Sequence, residues 1–170
     1  FEIELADAEL LDRASSSGDV PVHPSPDTLR TIQDKLVQKQ ALEDAGIPVP
    51  AFRAIGDTDD LHEAMDALGS PVMLKAREGG YDGRGNRPVG SPEDAADALD
   101  GLDGAAMAEA FVEFDRELSV IGVKGAAEIR TFPAGENVHD EQILRETIAP
   151  ARAASETLDR AQTVARDVLE

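Results

Sequence analysis

A short apolar run, Val72-Met73-Leu74, ends on Lys75 and leads into Ala76-Arg77-Glu78-Gly79-Gly80-Tyr81-Asp82-Gly83-Arg84-Gly85-Asn86, with four glycines in seven residues. No other stretch constrains the fold so tightly. The apolar run reads as a buried strand. A strand that ends in so many glycines must turn sharply or bring its backbone close to something else. Lysine at the strand end and arginine inside the loop supply charge suited to phosphate. Two readings fit these residues. Asp82-Gly83 is a strong turn signal, and on the glycines alone a hairpin turn accounts for the stretch. The other reading is a loop that wraps a nucleotide phosphate. The stretch is not a Walker loop, since no Gly-Lys-Ser/Thr ending is present. Nor is it a dinucleotide fingerprint, since the spacing differs and a strand follows where a helix should.

The remainder of the chain must decide between them. Its 170 residues allow one ordinary domain or parts of two, and 41% hydrophobic content is enough for a packed core. The chain begins at Phe1, within an expected strand (Phe1, Ile3, Leu5), and stops at Glu170, within an expected helix, so it reads as a piece of a longer protein. No apolar run is long enough for a membrane span and no signal-peptide pattern opens the chain, so no membrane partner is expected. The absence of cysteine excludes disulfides and thiolate metal sites and fits a cytoplasmic protein. Acidic residues outnumber basic ones 35 to 16, for a net charge of −19. A nucleic-acid partner is not expected, because no basic face is visible. The acids are interleaved with periodic apolar residues, which points to a folded domain with an acidic surface. Such a surface suits very high salt, where screening acts over only ~3 Å at 1 M, so a halophilic source is expected.

Periodicity and punctuation divide the chain. Residues 7–18 read as a helix ending at Gly18, followed by a proline-marked linker. Asp27 can cap one helix carrying Leu29, Ile32, Leu36 and Leu42 and ending at Gly46. Residues 52–55 read as a strand, and Asp57 or Thr58 caps a helix with Leu61, Met65 and Leu68 on one face. Ser91 with Asp94 opens a helix through Leu99. Residues 105–112 form an apolar strand. Residues 117–124 read as one strand buried on both faces. Strands are expected at 128–132 and 142–146, and a helix from Ala151 carrying Leu158, Ala161, Val164 and Val168. The fold class is α/β (α+β), with much antiparallel sheet in the second half.

Three separated blocks now converge: residues 31–40 with Ala45-Gly46-Ile47-Pro48-Val49-Pro50; Leu74 to Asn86; and Glu109 to Val120 with Asn137-Val138-His139 and Ile143-Leu144-Arg145. Together they resemble the ATP-grasp family. Within it they are most similar to the branch that carboxylates 5-aminoimidazole ribonucleotide in purine biosynthesis. The Gly-Gly-Tyr-Asp-Gly-Arg-Gly loop is fairly specific to that branch, and the resemblance covers nearly the whole chain.

The resemblance implies an ATP-grasp fold. Residues 1–28 would be the end of an N-terminal domain and a linker. Residues 29–111 would form the first subdomain, and 112–170 the start of a truncated second one. It implies an ATP-dependent ligase, a fragment inactive alone, whose small-molecule substrates are ATP, bicarbonate and 5-aminoimidazole ribonucleotide. The full-length protein is expected to be a homodimer.

Lys75 would contact ATP phosphate, and Lys35 would also reach the nucleotide, although a solvated helix residue is an equally simple account of Lys35. Lys39 is expected to face solvent. Gly80, Tyr81, Asp82, Gly83, Arg84, Gly85 and Asn86 would form a lid over the phosphates. Tyr81, Asp82 and Arg84 within it would act catalytically near bicarbonate and the ribonucleotide; for Asp82 a turn-stabilising role stands beside this. Glu109, Ala110, Phe111 and Val112 would hold adenine through backbone groups. Glu117, expected to open a buried strand, would accept from the ribose hydroxyls, for which two carboxylate oxygens are suited. His139 would lie near the nucleotide, and Arg145 near the phosphates. Mg2+ is implied as cofactor, but its ligands are expected beyond residue 170, so no metal-ligating residue is assigned. The alternatives are another ATP-grasp carboxylate–amine ligase and a non-catalytic nucleotide-binding module.

Overall fold

The computed structural model of the chain describes residues 5–18, 21–79, 85–102, 104–140 and 143–170. They divide into two compact units. One comprises residues 1–41 and 50–111, the other residues 42–49 and 112–170.

In the first unit, helix α1 (Ala8–Ser17) is capped by Asp7, whose carboxylate accepts from the Glu9 and Leu10 amides at 2.9 and 3.1 Å. Such a cap satisfies amides that the helix itself leaves unpaired. The single helix expected from Asp27 to Gly46 is two helices, α2 (Pro26–Gln33) and α3 (Lys35–Asp44). Ser25, not Asp27, caps α2, with Pro26 in its first turn. The break falls at Asp34, which is extended at φ −106° and ψ 112°. Its carboxylate accepts from the Leu36 amide at 2.9 Å and the Val37 amide at 3.4 Å, so the residue that ends α2 also caps α3. Short acidic side chains compete with the helical ladder in this way.

Strand β1 (Phe52–Ile55) precedes helix α4 (Thr58–Leu68), which Asp57 caps at 2.9 Å. Gly69 closes α4 at φ 89°, a conformation that favours glycine. Strands β2 (Val72–Ala76) and β3 (Asn86–Val89) flank the glycine loop. A 3₁₀ turn at Pro92–Asp94 and helix α5 (Ala95–Asp100) lead to strand β4 (Ala106–Ala110). The four strands form one antiparallel sheet in the order β1-β4-β2-β3. Side chains alternate across a sheet. Val72, Leu74, Ala106 and Ala108 therefore point to one face, where they meet Leu61, Ala64 and Met65 of α4 and Ala95 and Ala98 of α5 in a buried core. Met73, Lys75, Met107 and Glu109 belong to the other face.

In the second unit, residues 117–124 are not one buried strand. They form β5 (Glu117–Ser119) and β6 (Gly122–Lys124), which belong to different sheets. β6 pairs with β7 (Ile129–Thr131). β5 pairs with β8 (Gly135–Asp140), which pairs in turn with β9 (Ile143–Ile148). The chain changes sheets between Ser119 and Gly122. Each short strand thus has one partner, and Ile121 stays 68% exposed. Strand β8 escapes a sequence reading, because Gly-Glu-Asn-Val-His-Asp holds only one β-branched residue. Pairing on both sides imposes it. Helix α6 (Ser155–Leu169) starts four residues later than expected, with Ala154 at its cap position. The strand expected at Phe1 and Ile3, and residue Gln142, lie outside the described residues.

Candidate nucleotide site

The site begins with the register of two strands. Lys75 of β2 lies opposite Met107 of β4, and Glu109 lies opposite Met73. Lys75 and Glu109 are thus diagonal neighbours on the face turned away from the core, within reach for long side chains. The Lys75 ammonium donates to Glu109 Oε2 at 2.9 Å. The Glu109 side chain is only 6% exposed, and the Lys75 side chain 24%. A carboxylate so far removed from water needs cationic partners. It has a second one: Lys39 Nζ of α3 stands 3.2 Å from Oε1. That contact is one of charge, since Oε1 accepts no hydrogen bond. Lys39 is therefore not the solvent-facing residue expected. It leans onto the sheet and has an 18% exposed side chain.

On the opposite side of Lys75, the register places Asn86 of β3 directly across from it. Gly85 is buried, and its carbonyl accepts from the Ala76 amide at 2.8 Å. Gly79 is at φ 68°, where a side chain would be strained. Gly80, Tyr81, Asp82, Gly83 and Arg84, to which lid and catalytic roles were given, lie outside the described residues.

The root of the loop is held by a pair that the sequence reading passed over. The Arg77 guanidinium grips Asp34 with both ends: Nε donates to Oδ1 and Oδ2 at 3.0 and 3.1 Å, and an outer nitrogen also donates to Oδ2. The bond from Arg77 holds the Asp34 carboxyl below the ordinary carboxylate range, partly opposed by burial and reinforced by the Leu36 and Val37 amides. The same bond raises Arg77. The Arg77 amide donates to the Ala105 carbonyl, and its carbonyl accepts from the Lys35 amide, both at 2.9 Å. Lys35, half-buried at the start of α3, lines a groove of about 1210 Å³ together with Gln38, Asp34, Arg77 and Gly79. Among the described residues its ammonium has no ion-pair partner. An unpaired cation at a groove mouth suits an anionic ligand.

Ala110 ends β4, its amide donating to the Ala51 carbonyl at 2.8 Å, while Phe111 and Val112 follow as exposed irregular chain.

The second unit carries a separate polar cluster. Glu117 opens β5, and its side chain is 44% exposed, not buried as expected. Asn137, its register partner on β8, donates from Nδ2 to Glu117 Oε1 at 2.9 Å. Thr147 and Ser119 donate in turn to Asn137 Oδ1 at 3.0 and 3.3 Å, which fixes the amide. His139 Nδ1 is 3.8 Å from Glu117 Oε2. The structure thus brings Glu117 and His139 together, and adds Asn137 as the side chain that orients the carboxylate. Arg145 is half-exposed on β9 and lies 3.8 Å from Asp140.

Two missed residues had a sequence signal. Lys39 is four positions after Lys35, which puts both on one side of α3. Asp34, an acid between two helical runs, is an N-cap signal. Arg77 and Asn137 became visible only through pairings distant in sequence.

The ATP-grasp domain family matches residues 40–170, and the chain belongs to that family. Several of the relatives it resembles carry one activity name. It is 36% identical over 170 residues to N5-carboxyaminoimidazole ribonucleotide synthase of Synechocystis sp., covering 99% of this chain and 42% of the relative. The enzyme of the same name from Pseudomonas aeruginosa is 36% identical over 151 residues, covering 88% of this chain and 41% of the relative. A crystal structure of carboxyaminoimidazole ribonucleotide synthase from Aspergillus clavatus complexed with ATP matches with a TM-score of 0.93 at 37% identity, covering 99% of this chain and 44% of that one. The Aspergillus clavatus enzyme in complex with ADP and 5-aminoimidazole ribonucleotide matches at 0.91 and 35%, over 99% and 44%. The chain spans less than half the length of these relatives.

Proposed function

We propose that the chain is the nucleotide-binding part of an enzyme that carboxylates 5-aminoimidazole ribonucleotide with bicarbonate and ATP. The products are N5-carboxyaminoimidazole ribonucleotide, ADP and phosphate. The observation that carries this reading is the match of 99% of this chain to 44% of a synthase structure complexed with ATP. The paired Lys75 on the site face of β2 supports it.

In this reading a bicarbonate oxygen attacks the γ-phosphorus and ADP departs, leaving carboxyphosphate. The exocyclic amine of the ribonucleotide attacks the carboxyl carbon, phosphate leaves, and the amine gives up a proton. Lys75 holds the transferring phosphate as a point charge. Gly85 and Asn86, with residues 80–84, shield the reactive anhydride from water. Arg84 and Tyr81 position the anionic substrates, and Asp82 takes the amine proton. The backbone of residues 109–112 meets adenine. Glu117, held by Asn137, accepts from the ribose hydroxyls, with His139 beside it, and Lys35 offers a second cation. Most of the rate enhancement then comes from positioning and fixed charge.

Magnesium belongs to this reading by family resemblance. Among the described residues no group of three or more His, Asp and Glu side chains could hold a metal ion, so no step here is routed through one. A cytoplasmic location, a homodimeric assembly and a halophilic source belong to the same reading.

The test, on the full-length protein, is ADP release that requires both bicarbonate and 5-aminoimidazole ribonucleotide. Equal release with an unrelated amine would sink the substrate assignment. Lys75→Ala is expected to lower turnover by roughly 10²–10³-fold, the scale seen when one preorganised charge donor is removed; a near-normal rate would take Lys75 out of the mechanism.

A further inference from the structure

We propose that Lys39 is a positioning residue: it neutralises the buried Glu109 carboxylate and so leaves the charge of Lys75 available to an anionic phosphate. This rests on the nucleotide reading of Lys75.

The reasoning starts from the charge count at Glu109. A buried Lys75–Glu109 pair alone would be neutral. An arriving phosphate would then have to compete with a carboxylate already 2.9 Å from the ammonium. The phosphate would also meet the field of Glu109 itself, which is poorly screened away from water. The second ammonium changes this. With Lys39 Nζ 3.2 Å from the other oxygen, two cations face one anion, and the cluster carries one positive charge in excess. Each oxygen has its own cation, so the two lysines do not compete for one acceptor.

The excess charge is placed where it can act. Glu109 is the most enclosed member of the cluster, and Lys75 is the more exposed of the two lysines, so Lys75 is the cation left to meet a ligand. Lys75 also stands at the end of β2, two residues before Arg77 and across from Asn86. Lys39 arrives from a different element, α3, whose first turn is fixed by Asp34 and whose Lys35 amide is bonded to the Arg77 carbonyl. Its position is therefore set by the same contacts that hold the root of the glycine loop.

The experiment is ADP titration by calorimetry on the full chain, comparing wild type with Lys39→Met, Lys39→Arg and the double variant Lys39→Met/Glu109→Gln. Methionine keeps most of the lysine stem and removes the charge. We expect Lys39→Met to bind ADP about tenfold or more weakly, the scale on which loss of one partner of a buried charge pair is felt, and Lys39→Arg to retain most of the affinity. Removing the Glu109 charge in the Lys39→Met background restores the excess positive charge through Lys75 alone, so ADP affinity should recover. A purely structural Lys39 would show no such recovery. Undiminished binding in Lys39→Met, or a double variant no better than Lys39→Met, overturns the assignment while the nucleotide reading stands. Absence of ADP binding in the wild type overturns the nucleotide reading and the Lys39 assignment with it.

Discussion

Asp34 performs two tasks that substitution can separate. It caps α3 through the Leu36 and Val37 amides, and it is gripped by the Arg77 guanidinium. Loss of an N-cap costs about 1 kcal/mol. Loss of a charge-assisted, two-pronged hydrogen bond costs about 1.5–3 kcal/mol. With side chains 15% and 27% exposed, the pair belongs near the lower end of that range. Asp34→Ala removes both contributions, and about 2.5 kcal/mol of stability should go. A domain of this size loses about 2–4 °C in Tm per kcal/mol, so the melting point should fall by roughly 5–10 °C. Asp34→Asn keeps a competent cap and loses only the charge, so about 1.5 kcal/mol is expected. Arg77→Ala should cost a similar amount. Because Asp34→Asn and Arg77→Ala break one contact, the double variant should be little worse than either single one, with a coupling of about 1 kcal/mol. Urea unfolding of the four proteins measures this directly. Additive effects of Asp34→Asn and Arg77→Ala would show that the pair is not the unit described. Equal losses in the Asn and Ala variants would show that the cap contributes nothing.

Acid should reveal the same pair. Arg77 holds the folded-state Asp34 carboxyl below its unfolded value, so its contribution is present above the usual carboxylate pKa of ~4 and is lost as pH falls through the folded value. The stability gap between wild type and Asp34→Asn should be constant above about pH 5 and shrink below about pH 4; a gap that widens in acid would contradict the assignment. Gly135→Ala should destabilise the second unit by about 1–3 kcal/mol through overpacking. A Cβ there would stand 2.8 Å from Thr147 Cγ2. Thr147→Ser in the same chain removes that methyl and should recover most of the urea midpoint; no recovery would place the strain elsewhere. With a net charge of −19, the folded chain should lose stability on dialysis from molar salt to low salt, as self-repulsion escapes screening. Full stability in low salt, followed by circular dichroism, would remove the halophilic expectation.

The first unit was largely legible because its signals are local. A short apolar run marks β2, and Asp57 and Gly69 bracket α4. The strand positions of three charged residues were legible as well: Lys75 on β2, Glu109 on β4 and Glu117 on β5. What escaped depends on pairings made across long stretches of sequence. In the sequence Glu109 has only an expected backbone role, and only the β2–β4 register shows its side chain between two lysines. Lys39 reads as a surface lysine until Glu109 is placed beneath it. The second unit was read less well. β8 has weak intrinsic strand preference, and residues 117–124 alternate in a way that suits a buried strand but are split between two sheets.

The two faces of the β2–β4 pair have a consequence for the reliability of folding. A one-residue slip of β2 against β4 would send Lys75 in among Leu61, Met65 and Ala98, away from Glu109, and turn Val72 and Leu74 outward. Burying the Lys75 charge without its partner costs far more than the ladder bonds recover. The buried Lys75–Glu109 pair therefore also proofreads the strand alignment. A misaligned chain would therefore be unfolded at this sheet rather than folded in a shifted register.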